Sequence, residues 1–154
     1  MNWIGIDPGK SGALAEIDEQ GNILYLKPMP LIGKEIDLQA LFDFFESRAG
    51  TVILEKVGSN PGMGHSSAFT FGKFFGYLEG LVAGLKMKYI LVHPRTWQKE
   101  MWEKKADNPK ASSLLAARQL FPNEKFLPTL RSSKPHDGMV DALLLAEYGR
   151  RKNI

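Results

Sequence analysis

The sequence predicts an α/β fold built on a mixed five-stranded sheet with helices on both faces. Short apolar segments follow one another closely at residues 3–7, 12–17 and 22–27, and connections this short favour a three-stranded antiparallel meander. Apolar segments at 51–54 and 89–92 are instead separated by a long stretch of helical character. Strands that alternate with helices usually run parallel, so these two segments are expected to add two parallel strands to the meander.

Turns and helices follow from local signals along the chain. A turn through residues 18–21 joins the second and third strands, and a proline-bearing connection leads to a helix at 37–47, where apolar residues recur at helical spacing. Ser66 or Ser67 is the predicted N-cap of a long helix that ends near Leu85. Three further helices are predicted at residues 95–102, 109–120 and 136–150.

The long helix carries an unusual stripe of glycines. Gly72, Gly76, Gly80 and Gly84 recur at every fourth residue, so they line one side of the helix. Each glycine costs about 1 kcal/mol relative to alanine inside a helix, and the close approach of another backbone would offset that cost. That backbone could belong to the sheet or to the same helix in a second copy, and the sequence leaves both possibilities open.

Composition limits the possible classes of protein. The chain of 154 residues is expected to form one domain, residues 1–154. No segment is apolar for long enough to cross a membrane, and no signal peptide is recognisable. The absence of cysteine excludes disulfides and thiolate metal sites and suits the cytoplasm. A net charge of +3 and a pI of about 9.1 favour a polyanionic partner such as nucleic acid.

Two acids are predicted to meet at one edge of the sheet. Asp7 ends the first strand and Glu55 follows the fourth. If these strands are parallel neighbours, both carboxylates lie at the carboxyl edge, where such folds bind ligands. The side chains of a strand alternate between its faces, so Asp7 shares a face with Gly5. Gly5 and Gly9 are expected to leave open space around this acid for a substrate.

The last helix supplies two more acids. Asp137 and Asp141 are four residues apart and share one helical face, and that face continues into apolar residues and is expected to turn inward. Inward carboxylates repel one another unless a cation neutralises them, and oxygen ligands favour Mg²⁺ or Mn²⁺. A single acid could have a structural role: Asp7 in a turn, Asp137 as a helix cap, or Glu55 in an ion pair.

The segments that carry these acids resemble the phage-type branch of the RuvC family of Holliday junction resolvases, which belongs to the RNase H-like superfamily. The resemblance extends over nearly the whole chain and also includes the segments GHSSAFTFGKFFGYLEG and HPRTWQK. The matching acidic segments, in the order of the family, are GIDPGKSGA (residues 5–13), ILEKV (residues 53–57) and HDGMVDALLLAEYG (residues 136–149).

This resemblance implies an RNase H-like fold and the activity of a crossover junction endodeoxyribonuclease that acts in DNA recombination, repair or packaging. It implies that Asp7, Glu55, Asp137 and Asp141 are both the catalytic residues and the metal ligands. Two Mg²⁺ ions per active site, or Mn²⁺ in their place, are expected to promote hydrolysis of a DNA phosphodiester, with Asp7 as the bridging ligand. A four-way junction has two-fold symmetry, so a homodimer is expected, with the glycine-striped helix as the candidate interface.

The expected partner is branched DNA, including four-way junctions, with no membrane and no nucleotide cofactor. Lys110, Arg131 and Lys134 are the predicted contacts to the DNA backbone, and the small residues of the loop at 58–67, including Ser66 and Ser67, are expected to approach DNA closely. Trp97 and Trp102 could stack on bases, although core packing is the expected role of both. The predicted location is the cytoplasm, or the host cytoplasm if the protein is phage-encoded.

Other functions remain open from the sequence. The acids equally suit a nuclease of the RNase H type that cuts RNA in hybrids, or a general nuclease for branched DNA. A fragment of an actin-like ATPase, with residues 7–12 around a phosphate, and an inactive nucleic-acid-binding module are further alternatives.

Overall fold

The computed structural model describes residues 1–56, 58 and 62–154. The strands are β1 (Trp3–Asp7), β2 (Ala13–Ile17), β3 (Ile23–Pro28), β4 (Leu31–Ile32), β5 (Glu35–Ile36), β6 (Thr51–Glu55) and β7 (Tyr89–Val92). The main sheet has five strands in the order β3-β2-β1-β6-β7, with β1, β2 and β3 antiparallel and β1, β6 and β7 parallel. The predicted meander with two added parallel strands is therefore confirmed.

Helices cover both faces of the sheet, as the sequence predicts. The helices are α1 (Leu38–Glu46), α2 (His65–Gly84), α3 (Pro94–Met101), α4 (Pro109–Leu120) and α5 (Asp137–Lys152). One core lies between the sheet and α3, α4 and α5, and it is filled by residues such as Ile53, Trp97 and Leu144. The second core lies between the opposite face and α1 and α2, around Ile6 and Phe74.

Two local predictions are wrong. The connection between β3 and α1 contains a small antiparallel hairpin, in which β4 pairs with β5 through a turn where Gly33 has a φ of +61°. Helix α2 starts at His65, and its N-cap is Gly64 rather than Ser66 or Ser67. Both serines instead lie in the first turn of the helix. The loop predicted at 58–67 lies partly outside the described residues.

The glycine stripe on α2 faces away from the sheet. Helix α2 packs on the sheet through Phe74, Leu78 and Val82, which are fully buried. The four striped glycines are exposed, and a Cβ added at any of them would meet nothing within 4 Å. Sheet packing is therefore the wrong explanation for the stripe. None of the helices in the described part of the chain is both long and apolar enough to cross a membrane.

Candidate active site

Asp7 and Glu55 end adjacent parallel strands. In the pairing of β1 with β6, Ile6 lies opposite Leu54, so the residues that follow them, Asp7 and Glu55, end side by side at the carboxyl edge of the sheet. The predicted parallel pairing of these strands is thus confirmed. Both side chains are half-buried, so each of these acids keeps some contact with solvent.

Helix α5 lies directly over this edge because two glycines allow its backbone to approach. A Cβ at Gly5 on β1 would overlap the carbonyl oxygen of Ala142, and a Cβ at Gly138 would overlap the carbonyl oxygen of Ser11. The expectation that Gly5 leaves room for a substrate is therefore wrong, because α5 fills that room. The first turns of α5 bring Asp137 and Asp141 to the face of β1 that carries Asp7.

The four acids lie within electrostatic range of one another. Burial raises the pKa of Asp7 well above its usual range, and the negative charges of Asp141, Glu55 and Asp137 raise it further. Burial also raises the pKa of Asp141 to about 7, an effect that the nearby Ser113 hydroxyl partly offsets. Raised pKa values of this kind favour the protonated form of both carboxyl groups, and a bound cation would favour the ionised form instead.

Trp97 holds Glu55 in place. The indole Nε1 of this fully buried tryptophan donates a hydrogen bond of 2.8 Å to Oε1 of Glu55. Burial raises the pKa of Glu55, and the hydrogen bond from Trp97 partly lowers it again. Among the described residues Glu55 forms no ion pair with Lys56 or an arginine, so the structural alternative for this acid is not supported. Trp97 has the expected core position, and Trp102 packs against the same core.

Asp137 is the most exposed of the four acids and is paired with a predicted DNA contact. Its Oδ2 lies 2.7 Å from Nζ of Lys110, and both side chains are largely exposed. This neighbour raises the pKa of Lys110. Asp137 is not the helix cap: His136 is the N-cap, and its Nδ1 accepts a hydrogen bond from the backbone N–H of Met139 at 3.2 Å.

Solved structures of RuvC share this arrangement of strands and helices. The chain superposes on "T. thermophilus RuvC in complex with Holliday junction substrate" with a TM-score of 0.68 and 16% identity, over 99% of this chain and 96% of that one. It superposes on "Thermus thermophilus RuvC structure" with a TM-score of 0.63 and 18% identity, over 99% and 97%. This chain has the RuvC fold. No protein-family model matches the sequence, and no curated protein matches it significantly.

On this RuvC fold the donor set suits a hard cation. Four carboxylates contribute oxygen ligands only, which Mg²⁺ and Mn²⁺ prefer. The Oδ1 atom of Asp141 is buried and has no hydrogen-bond partner among the described residues, an arrangement that a cation would satisfy. Within the described part of the chain, no three His, Asp or Glu side chains are already arranged around one cation position. Binding therefore requires side chains of the cluster to turn towards a shared ion.

A cleft lined by both acidic and basic side chains opens at the acids and contains residues that the sequence interpretation missed. Its volume is about 820 Å³, and its lining includes Glu55, Asp141, Lys56, His93 and Arg95. The cations on its wall can hold phosphates next to the carboxylates. The segments that carry them follow β6 and begin α3, so only the tertiary fold brings them to the site.

The remaining predicted DNA contacts lie around the same edge. Arg131 and Lys134 are exposed in the connection that precedes α5. Ser66 and Ser67 are exposed at the start of α2 and share a small depression with Gly9, which follows β1. Their contact with DNA stays a prediction, as do the catalytic roles of the four acids.

Proposed function

We propose that this protein is a RuvC-type, structure-selective endonuclease that resolves four-way DNA junctions by metal-dependent hydrolysis of phosphodiester bonds. The supporting observation is the convergence of acids from β1, β6 and α5 at one edge of a RuvC fold, where Asp141 buries an oxygen without a partner in the described chain. One of the superposed structures is a complex of T. thermophilus RuvC with a Holliday junction substrate, which makes branched DNA the first substrate to test.

Asp7, Glu55, Asp137 and Asp141 would hold two Mg²⁺ or Mn²⁺ ions. When bound, such ions supply activation of a water molecule and stabilisation of the departing 3′ oxygen. The protein contributes the position of the ligands. Trp97 fixes one carboxylate oxygen of Glu55, Oε1. The close contact of α5 with β1 holds the α5 acids beside Asp7. Asp7 would be the central member of this ligand set, since the charge of each of the other three acids raises its pKa.

DNA binding would rest on phosphate contacts and on the shape of the branch, not on base readout. Lys110, Arg131 and Lys134 are the proposed contacts at the α5 side, with Ser66 and Ser67 at the α2 side. Lys110 is paired with Asp137 in the free protein, so it would exchange that partner for a phosphate when an ion neutralises Asp137. A homodimer would place one active site on each of two symmetry-related strands. The proposed setting is DNA recombination, repair or packaging in the cytoplasm.

Cleavage of a synthetic four-way junction in Mg²⁺ tests the proposal, with a fork, a linear duplex and an RNA–DNA hybrid alongside. We expect the junction to be cut in preference to the duplex. Preferred cutting of the hybrid would instead support an RNase H-type nuclease, and equal cutting of forks and junctions a general branched-DNA nuclease.

Asp7→Asn is the decisive variant because Asp7 is the acid whose pKa the charges of all three other acids raise, which places it at the centre of the proposed ligand set. We expect junction cleavage to fall by roughly a hundredfold or more, since loss of a metal ligand exceeds the effect of losing its supporting partners, while junction binding in a gel-shift assay is retained. Asp43→Asn is the matched control, because Asp43 is an exposed acid on α1 whose carboxylate hydrogen-bonds only to Gln39 among the described residues. Full cleavage by the Asp7→Asn protein would contradict the mechanism.

A further inference from the structure

The connection between α4 and α5 carries a leucine with no packing role. Leu130 has a relative exposure of 104%, so its side chain buries no surface within the protein. It lies in a tight turn in which the backbone N–H of Ser132 donates to the carbonyl oxygen of Thr129 at 3.1 Å. The hydroxyls of Thr129 and Ser132 are 2.8 Å apart, so a side-chain hydrogen bond spans the same turn. Leu130 and Arg131 therefore stand together at its tip.

The base of this connection is firmly anchored. Phe126 is fully buried and adopts a left-handed backbone conformation, with a φ of +58°, which costs a residue with a side chain roughly 1 kcal/mol. Its carbonyl oxygen accepts a hydrogen bond of 2.8 Å from the backbone N–H of His136, the N-cap of α5. The connection is thus closed at its base one residue before Asp137. The tip of the connection is therefore joined to the start of α5 by a short segment that a backbone hydrogen bond holds in place.

The tip lies on the active-site edge of the sheet. Pro28 on β3 is opposite Ala13, and Ala13 is opposite Asp7, so Pro28 is two strands away from Asp7, or roughly 10 Å at the usual strand spacing. A groove that Lys27, Pro28 and Leu130 line opens there. The exposed leucine therefore borders a groove that reaches the same edge of the sheet as the acids.

The charges around the tip suit DNA. Lys27 and Lys125 line the groove, and Arg131 and Lys134 are exposed in the connection. Glu124 is the one acid among the described residues that line the groove, and its Oε1 already accepts a hydrogen bond from the backbone N–H of Phe126. Basic side chains around an apolar tip are the arrangement by which proteins hold phosphates and insert a wedge between bases.

We propose that Leu130 is a wedge residue that enters the base stack of branched DNA at the branch point, while Arg131 and the neighbouring lysines hold the adjacent phosphates. This inference rests on the proposed function and adds to it the residue that distinguishes a branch from a continuous duplex. Bases at a branch have lost a stacking neighbour, so a leucine can be inserted there at lower cost than within a duplex.

The test measures binding to a four-way junction that carries 2-aminopurine at the branch point, and to a duplex of matched sequence, in EDTA so that no strand is cut. With the unsubstituted protein, 2-aminopurine fluorescence should rise as the base unstacks. Leu130→Ala should remove most of that rise and weaken junction binding roughly tenfold, the effect of leaving one leucine without burial, with duplex binding unchanged. Leu130→Phe, which keeps an apolar wedge, should retain both signals.

Leu24→Ala is the matched control. Leu24 is another exposed leucine, on the same strand as Pro28 but at the opposite end, near Ile23, which pairs with Ile17. The Leu24→Ala variant should therefore bind junction and duplex as the unsubstituted protein does. If Leu130→Ala resembles Leu24→Ala, or weakens junction and duplex binding equally, the wedge proposal is overturned while the proposed nuclease stands. If the unsubstituted protein neither prefers nor cuts junctions, the proposed function fails and the wedge fails with it.

Discussion

The protonation of Asp7 and Asp141 makes the stability of the metal-free protein depend on pH. The pKa of Asp141 is about 7 in the folded state against an ordinary value of 3.8, and that of Asp7 is also raised. The folded protein therefore binds more protons than the unfolded chain between about pH 4 and pH 7. The stability that these protons contribute is fully present below that window and is lost as the pH rises through it.

We therefore expect the metal-free protein to melt at a lower temperature at about pH 8 than at about pH 5, and Mg²⁺ to raise the Tm more at the higher pH, where the acids are free to bind it. Scanning calorimetry with and without Mg²⁺ measures both effects. Asp141→Asn cannot ionise at this position, so its Tm should depend less on pH and respond less to Mg²⁺. The same pH and metal dependence in the variant would show that Asp141 is not involved.

Trp97 is a positioning residue, because it acts on a proposed metal ligand and not on substrate. Its hydrogen bond holds Glu55 Oε1, and partners of this kind typically contribute 10–100-fold to metal affinity. We expect Trp97→Phe to fold and to bind Mn²⁺ roughly tenfold more weakly, as measured by calorimetric titration. Trp102→Phe is the control, because the Nε1 of Trp102 is buried without a partner among the described residues. If Trp97→Phe and Trp102→Phe bind Mn²⁺ with equal affinity, Trp97 does not have this positioning role.

At the scale of elements, the position of each acid follows from the end of a strand or the start of a helix. The apolar runs before Asp7 and Glu55 predict buried strands, and the spacing of Asp137 and Asp141 predicts one helical face. These signals are local, so the sequence reveals them. The contact between Trp97 and Glu55 joins residues 42 positions apart, and it depends on how α3 packs against β6. No local pattern encodes that orientation, and the sequence therefore predicts Trp97 only as a core residue.

Element boundaries are least predictable where side chains do not decide them. The N-cap of α4, Asn108, accepts a hydrogen bond of 2.9 Å from the backbone N–H of Ala111, as its side chain predicts. Helix α2 begins after Gly64, which has no side chain to cap the helix. The nearest residues with a capping side chain are serines inside the first turn, and the sequence therefore predicts the wrong start. The two-residue strands β4 and β5 are too short to show any periodicity. Their hairpin is accordingly absent from the prediction.

At the scale of the whole molecule, the exposed glycine stripe is the feature that a single copy does not explain. Each of the four glycines weakens α2 by about 1 kcal/mol relative to alanine, and a Cβ added at any of them would meet no atom of the described chain within 4 Å. The close approach of a second α2 helix would recover that cost through backbone and side-chain packing. The same contact would supply the two active sites that paired cuts in a four-way junction require.

We therefore predict a homodimer in which two α2 helices pack through their glycines. Gly80→Leu should dissociate it, because a leucine would separate the backbones, and sedimentation equilibrium should then show the monomer. Junctions should be nicked on one strand at a time, without paired cuts. Gln119→Leu, which adds a leucine to the exposed end of α4, is the control for added apolar surface and should remain dimeric. A Gly80→Leu protein that still sediments as a dimer would place the interface elsewhere. If the unsubstituted protein is a monomer even when it is bound to junction DNA, both the predicted dimer and the model of paired cuts are wrong.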